Sequence, residues 1–185
     1  VLPKASPSAV EALDGRLRPG LPVIAIVETA RGLRLAYEIA CAPRVAMLVL
    51  GAVDLGAELR LEPRADGQEI LYARSKLVVD SCAAGLRGPA DVVFRDTRDE
   101  EGLEREALLV RSLGMRAKAC IHPAQVPVVN RVFSPSEAQL SWARSVISAY
   151  EEAVAEGRGA LALDGEMIDL PVVERARSIL ALART

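Results

Sequence analysis

Two acidic residues stand where a carboxylate needs a reason to be. Glu28 closes the apolar run VIAIV, and Asp54 follows the run VAMLVL and a short Gly51-Ala52-Val53 step. If the two runs are neighbouring strands, the two carboxylates converge at one end of a sheet. Like charges so placed repel unless a cation or a proton comes between them. Magnesium commonly takes one or two protein carboxylates and leaves the rest of its shell to water and substrate oxygens. The pair therefore predicts a site for Mg2+. Gly51, with no side chain, would also expose backbone N–H groups able to hold a substrate carboxylate.

Other site chemistries find little support. His122 is the one histidine, so no histidine-rich metal site can come from this sequence. No GxSxG elbow supplies a nucleophile that His122 could activate. A metal would rest on carboxylates, which favours a hard cation. Cys41, Cys82 and Cys120 lie far apart with no CxxC pair, so neither a zinc site nor a disulfide framework is expected. Each sits among apolar neighbours and is expected to be a small buried hydrophobe in a reducing cytoplasm.

With 185 residues, 51% hydrophobic and 26% charged, the sequence describes a globular protein with one substantial core. A net charge of −2 and 3% aromatic residues leave no electrostatic or stacking platform for nucleic acid. The longest apolar run, Val45 to Val53, is much shorter than the roughly 20 residues that cross a bilayer. No charged region precedes an apolar core at the start, so no secretory signal is predicted.

The elements that would position the carboxylates can be read from the pattern. Val23–Val27, Val45–Leu50, Asp91–Phe94 and Ala117–Ile121 predict strands, and Val1–Pro3 resembles the tail of an earlier one. Between them, helices are predicted from Ser6-Pro7 toward Leu13, over Thr29–Ala40, over Asp66–Ala84 ending at Gly85, and over Asp99–Leu113 ending at Gly114. Pro123–Val132 and Pro135–Glu156 follow. Repeated strand–helix units mean a parallel sheet, either doubly wound or closed into a barrel. No GxGxxG or GxxxxGK[ST] turn follows a strand, and Glu28, Asp54, Arg95-Asp96 and His122 all lie at strand C-termini. Barrel enzymes gather their active-site residues at that end, so the expectation is the C-terminal part of an α/β fold, the TIM (β/α)8 barrel. A complete barrel takes ~250 residues. About strands 4 to 8 are expected here, with a barrel part over 1–133 and a C-terminal helical and lid extension over 134–185.

The strings IAIVETARG (24–32), LGAVDLGAEL (50–59), DEEGLEREA (99–107), CIHPAQVPVVN (120–130) and DGEMIDLPVVERA (164–176) are similar to the citrate lyase β-subunit-like family of CoA-ester lyases and aldolases. The opening VLPKASPSAV resembles that family's segment at the end of the fourth barrel strand. The resemblance implies that Glu28 and Asp54 bind the metal and that backbone at Gly51, Ala52 and Val53 cradles the carboxylate of a 2-oxo acid. It further implies that Asp169, on a C-terminal lid, serves acid–base catalysis at a neighbouring subunit's site in a homotrimer. His122 and Pro123 match a segment near where CoA lies. The implied reaction is the magnesium-dependent cleavage or formation of a 3-hydroxyacyl-CoA, giving an acyl-CoA and a 2-oxo acid. Val53 stands where many members carry Glu, and the family's N-terminal arginine has no counterpart in this sequence. An aldolase or acyl-CoA thioesterase on related esters, and a non-catalytic fragment or assembly subunit, are the alternatives. Outside the resemblance, Lys4 is a candidate substrate or phosphate contact and Trp142 is expected to be packing.

Overall fold

The structure is a computed structural model that describes residues 1–163 and 165–183. In β1 (Val23–Val27) the period of two sends Val23, Ala25 and Val27 into the interior. β2 (Val45–Leu50) runs parallel to it, with Ala25 beside Leu48 and Val27 beside Leu50. β3 (Ala90–Asp91) and β4 (Ala117–Lys118) extend the parallel sheet in the order β1-β2-β3-β4. Leu2 adds a parallel bridge to Ala25. The fold is thus α/β with a four-stranded parallel sheet. Both long strands read as apolar throughout, yet one face is only partly covered: Ile24 is 36% exposed, and Met47 and Val49 are half-buried.

Helices cover the other face. α1 (Pro7–Asp14) starts at Ser6, whose hydroxyl accepts from the Ala9 N–H, with Pro7 at the first helical position. The pattern over Thr29–Ala40 forms two short helices, α2 (Ala30–Arg34) and α3 (Ala36–Ala40), because Leu35 leaves helical geometry at φ −103° and ψ 22°. α4 (Ala52–Leu59) was not foreseen; what reads as a turn before Asp54 is its first turn. The segment expected to be helical from Asp66 starts as a turn and one 3-10 turn (Gln68–Ile70) before α5 (Leu71–Ala83). α6 (Glu100–Ser112) is capped by Asp99, which accepts from the Gly102 N–H, and α7 (Gln125–Phe133) follows β4. Leu33, Ala36, Ile39, Leu55 and Leu77 join the strand residues in one core.

β3 and β4 are shorter than the runs that encode them, and side chains are the reason. The Val92 carbonyl is taken by Lys118 Nζ at 2.8 Å, and the Phe94 carbonyl by Gln125 Nε2 at 2.8 Å. These bonds replace ladder partners beyond Asp91. Gln125, 2% exposed, also accepts from the Ile121 N–H, so it ties together the segments that leave β3 and β4. Beneath them lies a charged quartet of three buried members and the partly exposed Glu106. Arg74 from α5 donates through Nε and Nη2 to both oxygens of Asp91, while Lys118 donates to Asp91 and Glu106. Two cations and two anions offset each other.

Contacts divide the chain into two units, Val1–Phe133 and Ser134–Thr185. The second contains α8 (Glu137–Ala155), an antiparallel pair of β5 (Leu161–Leu163) and β6 (Glu166–Ile168), and α9 (Leu170–Leu182). A capping box starts α8: the Ser136 hydroxyl accepts from the Gln139 N–H, and the Gln139 side chain accepts from the Ser136 N–H. Ala143, Val146, Ile168, Val173 and Ala176 form its core, with Trp142 partly buried against them and beneath Arg175.

The cysteines overturn one expectation. Cys41, Cys82 and Cys120 are free and exposed rather than buried.

Lys118→Met would leave Glu106 without its lysine and remove one of the partners of Asp91. A loss of about 3–5 kcal/mol is expected, measured by denaturant unfolding.

Candidate functional site

Glu28 leaves the end of β1, and its carboxylate is held from one side. Oε1 accepts from the Lys4 backbone N–H at 2.7 Å. Lys4 presents that N–H from a left-handed conformation, φ +46°, at the end of the segment hydrogen-bonded along β1 through Leu2 and Ala5. Such a conformation is unfavourable for a residue with a Cβ, so the contact is imposed by its surroundings. Oε2 has no hydrogen bond among the described residues and lies against Gly51. A Cβ built at Gly51 would stand 2.4 Å from Glu28 Cβ and 2.8 Å from Oε2. Glycine is required here by space, since its φ of −98° is open to any residue.

Gly51 also begins α4. Its N–H donates to the Val27 carbonyl at 2.9 Å, joining the ends of β1 and β2. Asp54 is the third residue of α4, exposed, in the first turn. The positive end of a helix favours a carboxylate there. No side chain caps this end, so the N–H groups of Ala52 and Val53 are left available for an anion. Glu58, one turn on, reaches the start of α2, where Oε2 accepts from the Ala30 N–H at 3.1 Å.

The first unit thus sets Glu28 directly against Gly51, with Ala52, Val53 and Asp54 following in the first turn of α4. Among the described residues, no three His, Cys, Asp or Glu side chains converge as a metal cluster. The donor set fits a hard cation held by Glu28 and Asp54, with one Glu28 oxygen already anchored and the other unpaired. Asp169 lies in the second unit. It is the N-cap of α9, accepting from the Val172 N–H at 3.4 Å through Oδ1. His122 is exposed, and its Nδ1 accepts from the Ala124 N–H at 3.2 Å. Desolvation raises the pKa of the Cys120 thiol more than the Lys118 charge lowers it.

Sequence reasoning missed Glu58, Gln125 and the quartet around Asp91. A lysine and an aspartate inside short apolar strand runs were the available signal. Their partners, Arg74 and Glu106, lie on helices distant in sequence.

Gly51→Val is expected to push the Glu28 side chain off its anchor. The variant should stay folded by circular dichroism with its melting temperature lowered, and its divalent-metal affinity should fall roughly tenfold or more by titration calorimetry.

The sequence matches the HpcH/HpaI aldolase/citrate lyase family over residues 11–123. It also matches a family described as a C–C bond lyase of the TIM-barrel fold over 71–184. Citrate lyase subunit beta of Leuconostoc mesenteroides subsp. cremoris is 40% identical over 162 residues, which are 87% of this chain and 53% of that protein. The mitochondrial citramalyl-CoA lyase of Rattus norvegicus is 37% identical, over 92% of this chain and 53% of that protein. A (3S)-malyl-CoA thioesterase of Cereibacter sphaeroides (strain KD131 / KCTC 12085) is 38% identical, over 99% and 64%. Among solved structures, the CitE protein of Mycobacterium tuberculosis in complex with magnesium, acetoacetate and coenzyme A superposes with a TM-score of 0.81 at 38% identity. That match covers 98% of this chain and 67% of the other. The chain thus spans about half the length of the first two curated relatives. A sheet that joins Glu28 to the uncapped start of α4, and a sequence that aligns along nearly its whole length with these proteins, lead to one statement: the chain belongs to the HpcH/HpaI aldolase/citrate lyase family.

Proposed function

We propose that this chain is the C-terminal arc of a TIM barrel that carries the metal site of a magnesium-dependent carbon–carbon lyase acting on CoA esters. The observation that carries the reading is the Glu28 carboxylate, anchored on one oxygen and set against Gly51 at the uncapped start of the helix that bears Asp54. The partly covered face of β1 and β2, with Ile24, Met47 and Val49, fits the inward side of a closed barrel. In this reading the substrates are a 3-hydroxyacyl-CoA, or an acyl-CoA and a 2-oxo acid.

Glu28 and Asp54 would hold Mg2+. When bound, the ion supplies Lewis acidity at the substrate oxygen whose charge changes as the carbon–carbon bond breaks or forms. The chain's own groups bind and orient. The N–H groups of Ala52 and Val53 receive the substrate carboxylate at the helix start, where partial positive charge favours it. Gly51 leaves room for Glu28 beside them. Val53, 53% exposed, puts a neutral side chain where many relatives carry Glu, and so bears on which acid is accepted. Asp169 would move the proton at the acyl carbon, reaching the site of a neighbouring copy in a homotrimer. Its Oδ1 caps α9, leaving Oδ2 for that task. Three free thiols fit a reducing cytoplasm. No described helix is long and apolar enough to cross a membrane.

A second reading is hydrolysis of the thioester. The malyl-CoA thioesterase relative favours it. Products separate the two: a lyase releases acyl-CoA with a 2-oxo acid, whereas a thioesterase releases free CoA with the intact hydroxy acid.

In the full-length protein, Glu28→Ala and Asp54→Ala are each expected to lower metal-dependent cleavage of malyl- or citramalyl-type CoA esters roughly a hundredfold or more. Full turnover in EDTA would sink the metal reading. Asp169→Asn is expected to lower kcat while magnesium affinity, measured by calorimetry, stays unchanged.

A further inference from the structure

Glu28 and Asp54 lie on two short stretches of chain, and two hydrogen bonds join those stretches. At one end the Gly51 N–H donates to the Val27 carbonyl at 2.9 Å. At the other, Glu58 Oε2 accepts from the Ala30 N–H at 3.1 Å. Glu28 falls between Val27 and Ala30, and Asp54 falls between Gly51 and Glu58. The two bonds therefore close a ring that carries both carboxylates, one on each side.

Each contact removes a different freedom. The Gly51 bond fixes where α4 begins, and Leu55, its buried residue, holds one side of the helix in the core. Glu58 adds a third point of attachment, in the last turn. Asp54 and Glu58 are four residues apart on α4 and so share a face of the helix, the one through which Glu58 reaches Ala30.

The partner of Glu58 is itself held firmly. Ala30 is the first residue of α2, whose cap Thr29 accepts from the Gly32 N–H at 2.9 Å. Gly32 packs so closely that a Cβ there would stand 3.1 Å from the Ala5 carbonyl oxygen. Ala5 in turn donates to the Ile26 carbonyl of β1 at 2.9 Å. The Ala30 N–H is thus a fixed reference against which α4 is set. Glu58 is exposed, and one such bond adds little to overall stability, so its consequence is local.

We propose that Glu58 is a positioning residue of the metal site, which through Ala30 fixes the helix bearing Asp54 relative to Glu28 and so favours Mg2+ over larger divalent cations. The inference rests on the reading that Glu28 and Asp54 hold the metal. Mg2+ demands near-octahedral oxygen ligands at about 2.0–2.1 Å, whereas Ca2+ tolerates irregular shells at about 2.3–2.6 Å. Carboxylates of fixed spacing discriminate between the two ions, and carboxylates free to drift lose the smaller ion first.

The test is titration calorimetry of the full-length protein with Mg2+ and with Ca2+, without substrate, the fold of each variant being checked by circular dichroism. Glu58→Ala is expected to lower Mg2+ affinity about tenfold and Ca2+ affinity about twofold or less, so the preference for Mg2+ falls about fivefold. In Glu58→Gln the amide oxygen still accepts from the Ala30 N–H, and both affinities should stay within about twofold of the original. Loss of a nearby negative charge alone would weaken both ions alike, and Glu58→Gln as much as Glu58→Ala. Parallel losses for the two ions, a Gln variant as weak as the Ala variant, or an unchanged preference in Glu58→Ala would each overturn the proposal. Glu28→Ala separates this inference from the reading beneath it. Mg2+ binding that survives Glu28→Ala would overturn the metal reading and the role of Glu58 together. Binding lost in Glu28→Ala, with the preference unchanged in Glu58→Ala, would overturn the role of Glu58 alone.

Discussion

Glu28 and the Cα of Gly51 occupy a space that admits no further atom, and much of the first unit is arranged around that close approach. The end of β1 delivers the carboxylate, and the end of β2 delivers the glycine. The parallel ladder sets the register of the two ends, and a backbone hydrogen bond from Gly51 to Val27 continues it past β2. From this contact the chain turns directly into α4, which carries Asp54 in its first turn. Lys4 completes the constraint from the other side by accepting a left-handed backbone in order to aim its N–H at Oε1. A preorganised carboxylate loses less conformational freedom when it meets a cation than a mobile one does.

The second constraint is the quartet under β3 and β4. Burying charges is costly unless each is matched, and here the matching also sets where the strands end. Lys118 takes the Val92 carbonyl out of the ladder, and Gln125 does the same for Phe94. The two segments beyond the sheet are then held by side chains instead of by strand pairing. They can take irregular paths while remaining fixed. Rigidity at the sheet end and shape variety at the surface come from one set of bonds.

The second unit stands on its own contacts. Its helices are started by side chains chosen for that task, Ser136 with Gln139 and Asp169, and its core is small. Asp169 therefore has a local role that any account of its chemistry must keep. The N-cap contact restrains the direction in which its carboxylate points.

The positions of Glu28 and Asp54 near the ends of two parallel strands were legible in the sequence, because continuous apolar runs closed by a carboxylate have few other readings. Helix starts at Ser6 and Asp99 were legible for the same local reason: capping chemistry acts within three residues. The helix expected from Pro135 starts instead at Glu137, with Ser136 as its cap. The helix after Gly51 was not legible, since its eight residues carry no capping side chain and look like a turn. Nor was the break at Leu35, which no proline or glycine marks. The quartet could be found only in three dimensions. Arg74 and Asp91 are 17 residues apart, and Asp91 and Lys118 are 27, so no local period links them. Two carboxylates near strand ends belong to the sequence. Tertiary structure alone decided that one oxygen of Glu28 is tied to Lys4 and the other left unpaired, because steric exclusion at Gly51 and the reach of a distant backbone N–H exist only once the strands are paired.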